Sequence, residues 1–529
     1  MTTVKDAVFD VLRRHGLTTL FCNPGSTEVP LLTGLPDDLR FVLGLHEGSV
    51  VGMATGWAIG RDAPATAVLH TTAGLGNAVG ALATARENRV PLVVLVGQQD
   101  RRHLALEPFL AGRLAGLAGD YPVRVDQPVR PQDVPGAVAR AVHEARTHRG
   151  PALVVVPMDD WAAPFDGEIV AAPARLVRPT AVSDAELAPL LELLSGARRP
   201  AIVAGAGVRE GWDALVELAE RLGCPVHQEP FGGRAGFPQD HPQYAGVLPA
   251  DRARLREVLA AYDVVLAVGA PVFRQYPYVP GPLVPQGTAV ALVTDDPAEA
   301  HRSPAGLAVL AAPSAVCARL AALLPQRPRL ERRPSEEPQV GTAEGPLRPA
   351  DVLRELAARL PADAALIEET PSARPDLHRL VPARSSLGFL SAAMGGLGFA
   401  LPAAVGLKMA LPDRPVVAVT GDGSALYGLH ALWSAAHYRV GALFVVLANG
   451  RYAIMDRLAE RHGGGKAPWP AFTEIDMAAL AGSLGCPAVK VGSHAELTAV
   501  LDDIMPVLPD RDSPLLLDVA VAVDERFQP

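Results

Sequence analysis

The chain is poor in cysteine, in aromatic residues, in basic excess and in long apolar runs. Four cysteines in 529 residues, Cys22, Cys224, Cys317 and Cys486, stand far apart. That spacing offers no disulfide framework and no paired-cysteine zinc site, and it predicts buried free thiols in a reducing compartment. Lys and Arg number 48 against 57 Asp and Glu, a formal net charge of −9, with a pI near 5.9. This balance gives no electrostatic footprint for nucleic acid or an anionic membrane. Apolar runs such as Pro91–Val96 are strand length, far short of the ~20 residues of a membrane span. Met1-Thr2-Thr3-Val4-Lys5-Asp6 runs straight into an amphipathic pattern, which reads as no signal peptide. A cytoplasmic protein without membrane or nucleic-acid partners is expected.

What remains is ordinary globular composition, 49% hydrophobic and 20% charged. A chain this long is expected to divide into two to four domains. The most informative stretch is Val416–Tyr452. Val416-Val417-Ala418-Val419 reads as a buried strand, Gly421-Asp422-Gly423-Ser424 follows, and Leu426–Tyr438 is predicted as a helix. Ala442–Leu447 reads as a second strand, ending in Ala448-Asn449-Gly450-Arg451-Tyr452. Strand, Gly-flanked Asp, helix, strand and Asn-Gly turn make a βαβ unit with oxygen ligands at the strand carboxyl ends, where open parallel sheets bind ligands. The glycines let the backbone approach a phosphate, and the helix N-terminus favours negative charge there. Asp422 and the Asn449 side-chain carbonyl are hard oxygen ligands suited to a Mg²⁺ that keeps positions for phosphate oxygens and water. The plain alternative is an Asp helix cap and an ordinary Asn-Gly turn.

Residues 1–180 alternate helix and strand signals. Strands at Thr19–Phe21, Phe41–Leu45, Ala65–Leu69, Pro91–Val96 and Ala152–Val156 place polar residues at their carboxyl ends: Asn23-Pro24-Gly25-Ser26, His46-Glu47, His70-Thr71-Thr72 and Gly97-Gln98-Gln99. That is the pattern of a doubly wound parallel sheet with a functional rim. Residues 181–325 form a second α/β block. Its Gly205-Ala206-Gly207-Val208-Arg209-Glu210-Gly211 misses a dinucleotide fingerprint by one residue and reads as a structural turn. Residues 326–349, rich in Pro and charge, are predicted as a linker. Residues 350–529 form the third block, with a Gly/Ala-rich segment from Ser391 to Met409.

The GDGS-to-NG unit resembles the thiamine diphosphate (ThDP) signature of the pyruvate decarboxylase and acetolactate synthase superfamily. In nearly its full length the chain resembles the benzoylformate decarboxylase branch, through the rim motifs above, Gly269-Ala270-Pro271-Val272-Phe273-Arg274 and Gly395-Gly396-Leu397-Gly398-Phe399-Ala400-Leu401-Pro402. The resemblance implies three parallel α/β domains: pyrimidine-binding at 1–180, middle at 181–325 and diphosphate-binding at 350–529. It implies Asp422, Asn449 and the backbone carbonyl of Arg451 as Mg²⁺ ligands. Asn23, Pro24, Gly25, Ser372, Gly421, Gly423, Ser424 and Tyr452 would contact cofactor, with Ser372 at a phosphate. Glu47 would hydrogen-bond the pyrimidine N1′, Leu397 would wedge under the V-shaped cofactor, and the Gly395 carbonyl would accept from its amino group. Ser26 and His70 would face the substrate, and Ile454, Met455 and Leu458 would line its pocket, with Gly463-Gly464-Gly465 as a flexible run. By residue type alone, Glu47 reads equally as a helix-terminal charge, Ser26 as a turn residue, and His70 and Leu397 as core.

Two departures stand out. Ala448 replaces the first Asn of the usual pair, leaving the ligand Asn449 in place. Tyr276 falls where the branch carries a second active-site histidine, and a phenol is a poor acid–base near neutrality. The implied activity is non-oxidative decarboxylation of a 2-oxo acid with an apolar or aryl side chain. The alternatives are a carboligase on the same cofactor, which the Tyr276 exchange favours, and a non-catalytic cofactor binder, which Glu47 disfavours. Because the implied pyrimidine and diphosphate residues lie in different blocks, the resemblance further implies a homodimer or dimer of dimers with sites shared between subunits.

Overall fold

The computed structural model describes residues 2–166, 181–209, 212–328, 330, 345–461 and 467–523. They form three six-stranded sheets, in which every strand pairing is parallel. Three doubly wound α/β blocks are therefore present, as the sequence predicts. With strands numbered in chain order within each sheet, the first runs 2-1-3-4-6-5, the second 6-5-4-1-2-3 and the third again 2-1-3-4-6-5. The first and third units thus share one topology, although no internal repeat is visible in the sequence. The boundary at 180 and most of the predicted 326–349 linker lie outside the described residues.

The central strands form because helices cover both faces of each sheet, so every side chain must be apolar. Leu92–Gln98, Pro151–Pro157 and Val264–Val268 are buried throughout. The edge strands Arg124–Asp126, Leu307–Leu310 and Ala488–Val491 carry mixed burial. They are too short for the pattern to find. All four cysteines are free and buried, as expected. No described helix is long and apolar enough to cross a membrane.

One expectation is corrected. The helix predicted over Leu426–Tyr438 is confined to Ala431–His437, behind a separate short helix Asp422–Ala425 and a run of turns. The break falls at Gly428, against which Pro402 Cδ packs so closely that a Cβ would meet it at 2.9 Å. The short helix starts on Asp422 itself. The Gly/Ala-rich helices lie on the strands of their own sheets, and they also meet a neighbour. Glu47–Arg61 and Ala400–Ala410 pack on each other within one chain. A Cβ on Gly56 would run into the Ala403 carbonyl, and one on Gly406 into that of Met53. The two helices follow the second strands of the first and third sheets, so equivalent elements of two like units meet back to back. Leu43 N–H donating to Tyr438 Oη at 2.7 Å and Ser434 Oγ donating to the Leu43 carbonyl at 2.9 Å join the same units.

The Gly205 turn is structural, as predicted. Gly207 N–H donates to the Gly269 carbonyl at 2.6 Å, and Ala270 Cβ stands 2.6 Å from where a Cβ on Gly205 would lie. Backbone thus fills the crevice between strands 1 and 4 of the middle sheet. Residues 210 and 211 lie outside the described residues.

A candidate site on two sheet edges

In sheets of this topology ligands sit beyond the strand carboxyl ends, where strand order reverses. On the first sheet that point lies between Thr19–Cys22 and Ala65–Leu69. Two of the predicted residues, Asn23 and Glu47, meet there. Asn23 Nδ2 donates to Glu47 Oε1 at 3.0 Å, and Asn77 Nδ2 donates to Oε2 at 3.0 Å. Glu47, only 8% exposed, opens its helix behind the cap His46, whose side chain accepts from Gly48 N–H. One amide therefore holds each carboxylate oxygen in place and leaves it further acceptor capacity.

His70 is not a core histidine. Its Nδ1 lies 3.0 Å from Glu28 Oε2 and 2.9 Å from Thr27 Oγ1. Glu28 is buried and also accepts from Gly25 N–H at 2.8 Å and from Thr27 Oγ1. With an acceptor carboxylate at Nδ1, that nitrogen carries the proton and Nε2 is left for a ligand. Gly25 is required here, since a Cβ would lie 2.5 Å from His70 Cδ2. Thr71, next in the chain, is buried at φ 35°, a backbone strain of the kind that collects at functional sites. Ser26 is exposed at the tip of the turn and Pro24 beside it. Sequence reasoning missed Thr27, Glu28 and Asn77. The one available signal for Glu28 was a carboxylate directly beyond the Asn23–Ser26 turn.

On the third sheet, Asp422 begins the short helix after Val416–Gly421, with Gly421 as its cap. Its Oδ1 accepts from Gly423 N–H at 2.8 Å and its Oδ2 from Gly450 N–H at 2.6 Å. One carboxylate thus ties the ends of two adjacent strands. Burial pushes the Asp422 carboxyl above its ordinary range, and the Gly450 and Gly423 amides pull it back; a bound cation would favour the ionised form further. Asn449 Oδ1 accepts from Arg451 N–H at 3.1 Å, shaping the turn that presents the Arg451 carbonyl. The Tyr452 ring packs on Gly423, its Cε1 2.7 Å from where a Cβ would stand, and lies edge-on to Phe472. Ser424 is buried and Ser372 half-buried in the turn after Ala365–Glu369. Gly395, at φ 73°, has open space at its missing Cβ, and Leu397 is 38% exposed beside it.

Ile454 and Leu458 lie one turn apart on the helix Ala453–Arg461, partly buried, with Met455 exposed. The Gly463–Gly465 run lies outside the described residues. Tyr276, from the middle unit, is 61% exposed and packs edge-on to Phe231. No hydrogen bond or ion pair among the described residues joins the Glu47 set to the Asp422 set.

The two oxygen side chains, a turn carbonyl, the glycines that flank Asp422 and a helix start fit Mg²⁺ and a diphosphate. Family models match in the same order along the chain: thiamine pyrophosphate enzyme N-terminal TPP binding domain over 2–115, central domain over 187–320, and C-terminal TPP binding domain over 373–519. The chain belongs to the thiamine pyrophosphate enzyme family. It is 40% identical to benzoylformate decarboxylase of Pseudomonas aeruginosa over 98% of this chain and 99% of that one. An acetolactate synthase large subunit of Parasynechococcus marenigrum is 28% identical over 95% of this chain and 86% of that one. Among solved structures, the ThDP-dependent 4-hydroxybenzoylformate decarboxylase of Rhodococcus jostii RHA1 superposes with a TM-score of 0.94 at 36% identity, covering 99% and 100% of the two chains. Benzoylformate decarboxylase of Polynucleobacter necessarius gives 0.94 at 31%, covering 100% of both. Within the family, this chain is a ThDP-dependent lyase of the 2-oxo acid decarboxylase type.

Proposed function

We propose that the chain converts a benzoylformate-like 2-oxo acid, with an apolar or aryl side chain, to an aldehyde and CO₂, using ThDP and Mg²⁺. The observation that carries this reading is the coexistence, in one chain, of a buried Glu47 fixed by two amides and the oxygen ligands Asp422 and Asn449. Asp422, Asn449 and the Arg451 carbonyl would hold the metal. Gly421, Gly423, Ser424 and Ser372 would take the diphosphate. Asn23, Pro24, Gly25 and Tyr452 would complete the cofactor's surroundings. When bound, ThDP supplies a carbon nucleophile and an electron sink for loss of CO₂. Glu47 holds and returns a proton at the pyrimidine N1′. Leu397 and the Gly395 carbonyl set the cofactor's bend. Ser26 donates to the substrate carboxylate, and His70 Nε2 exchanges a proton at the substrate carbonyl. Ile454, Met455 and Leu458 present the apolar wall. Tyr276 donates a hydrogen bond in place of a histidine. A panel of 2-oxo acids assayed for CO₂ release tests this, and release from none of the aryl or apolar acids would overturn it.

A second reading, a carboligase, is favoured by Tyr276, because slower protonation leaves time for an acceptor aldehyde to react. Adding an acceptor to the same assay and identifying the products separates the two. We further propose three functional units, 1–180 for the pyrimidine, 181–325 as middle unit and 350–529 for diphosphate and metal, in a homodimer or dimer of dimers. Exposed apolar side chains at both rims, Val29, Phe109, Met394 and Leu397 among them, support a second copy covering them. Mixing Glu47→Gln with Asp422→Ala subunits should restore activity by forming one site free of both lesions. Verified heterodimers that stay inactive would refute sharing.

A further inference from the structure

We propose that Glu369 and Asn88 are positioning residues that clamp the Ala393–Gly398 turn from its two ends and so fix Leu397 and the Gly395 carbonyl against bound ThDP. The inference rests on the cofactor roles proposed above for those two residues. Glu369 is the last residue of the strand Ala365–Glu369 and only 3% exposed. Its Oε1 accepts from Gly398 N–H at 2.6 Å, and its Oε2 accepts from Phe399 and Ala400 N–H at 2.8 and 2.6 Å. These amides lead into the helix Ala400–Ala410, where N–H groups otherwise lack partners. At the other end, Asn88 Oδ1 accepts from Ala393 N–H at 2.9 Å and its Nδ2 donates to the Ser391 carbonyl at 3.0 Å.

Between the clamps stand Met394, Gly395, Gly396 and Leu397, with Gly395 at φ 73° and Gly398 at φ 93°. Two adjacent glycines make this segment intrinsically soft, yet it carries the wedge whose placement matters most. Misplacing a positioning group by about 1 Å costs rate by roughly a hundredfold. Three amides converge on this one carboxyl, and its acceptor-only ionised form suits all three at once. Burial pushes the Glu369 carboxyl up to about 7, against the pull of the three amides. The fold carries that desolvation cost where a neutral residue would pack more easily.

Glu369→Gln turns one oxygen into a donor facing an amide, and Asn88→Ala releases the other end. In the apo-protein, hydrogen exchange of the 394–400 amides should speed up in each variant while the rest of the chain keeps its protection. In the holoenzyme, the C2–H exchange of bound ThDP should fall by roughly tenfold or more. Metal-dependent ThDP affinity should fall less, because Asp422 and Asn449 are untouched, and KM for the 2-oxo acid should hold. Combining Glu369→Gln with Leu397→Ala should add little to either single loss, since both act at one wedge. Fully additive losses, or unchanged C2–H exchange in both clamp variants, overturn the inference. If Leu397→Ala alone changes neither C2–H exchange nor affinity, the assignment of Leu397 fails instead. Should Glu369→Gln not fold, Asn88→Ala carries the same test.

Discussion

Replacing Gly406 by alanine should open the seam that joins the first and third units. The new Cβ would meet Met53 backbone, with its carbonyl carbon at 2.7 Å, its Cα at 2.9 Å and its oxygen nearer still. Carbon atoms rest at ~3.5–4.0 Å, so the helices must part by about 1 Å. Neither can yield by a rotamer change, because the obstacle is backbone. A 1 Å gap forfeits up to about half the dispersion well of each contact along the seam, and overpacking costs ~1–3 kcal/mol. Alanine's better helix propensity returns about 1 kcal/mol, leaving a net loss of up to about 2 kcal/mol. Gly136, in the helix Val134–His148, has nothing within 4 Å of its missing Cβ. Gly136→Ala should therefore stabilise, by up to ~1 kcal/mol. Denaturant and thermal unfolding of the two apo-variants beside the wild type make the comparison. Gly56→Ala should behave like Gly406→Ala, and the double variant should lose less than the sum, because one opening admits both methyls. A Gly406→Ala protein as stable as Gly136→Ala would refute the packing argument.

Asp422→Ala should abolish metal-dependent ThDP binding in calorimetry, and it should also loosen the Gly450 turn that its Oδ2 holds; affinity independent of added Mg²⁺ would count against the ligand role. Glu47→Gln should keep the fold and slow C2–H exchange of bound ThDP by orders of magnitude, because an amide cannot relay a proton. Acid should destabilise the protein through His378, whose ring nitrogens have no hydrogen-bond partner among the described residues and whose pKa burial lowers to about 4. The unfolded chain takes up this proton below ~6.5 and the folded chain does not until about 4, so this residue's own contribution to stability falls as pH drops between those values, by about 3 kcal/mol at most, while the buried Glu369 carboxyl acts in the opposite sense. His378→Leu should flatten that slope in denaturant titrations at successive pH values, and an unchanged slope would remove His378 as its source.

The βαβ unit around Asp422 and the strand-end motifs of the first block were legible because they are local. Buried parallel strands must be uniformly apolar, and glycine, Asp and Asn at their ends are dictated by turn geometry and ligand chemistry within a few residues. The edge strands escaped because a short, half-exposed strand carries no periodicity. The break at Gly428 escaped because it answers to Pro402, which is distant in sequence and close only in the fold. Likewise, Glu28 beside His70, Asn77 beside Glu47, and Glu369 and Asn88 around Leu397 are single polar residues whose meaning depends on a partner far along the chain. Sequence alone determined the class of fold and the cofactor family, and it pointed to the strand-end residues from which the proposed site is built. Tertiary structure decided what holds those residues still, because hydrogen-bond geometry between remote segments exists only once the sheets are assembled. It also decided that the Gly/Ala-rich helices serve each other within one chain, since small residues specify close approach but not the surface approached.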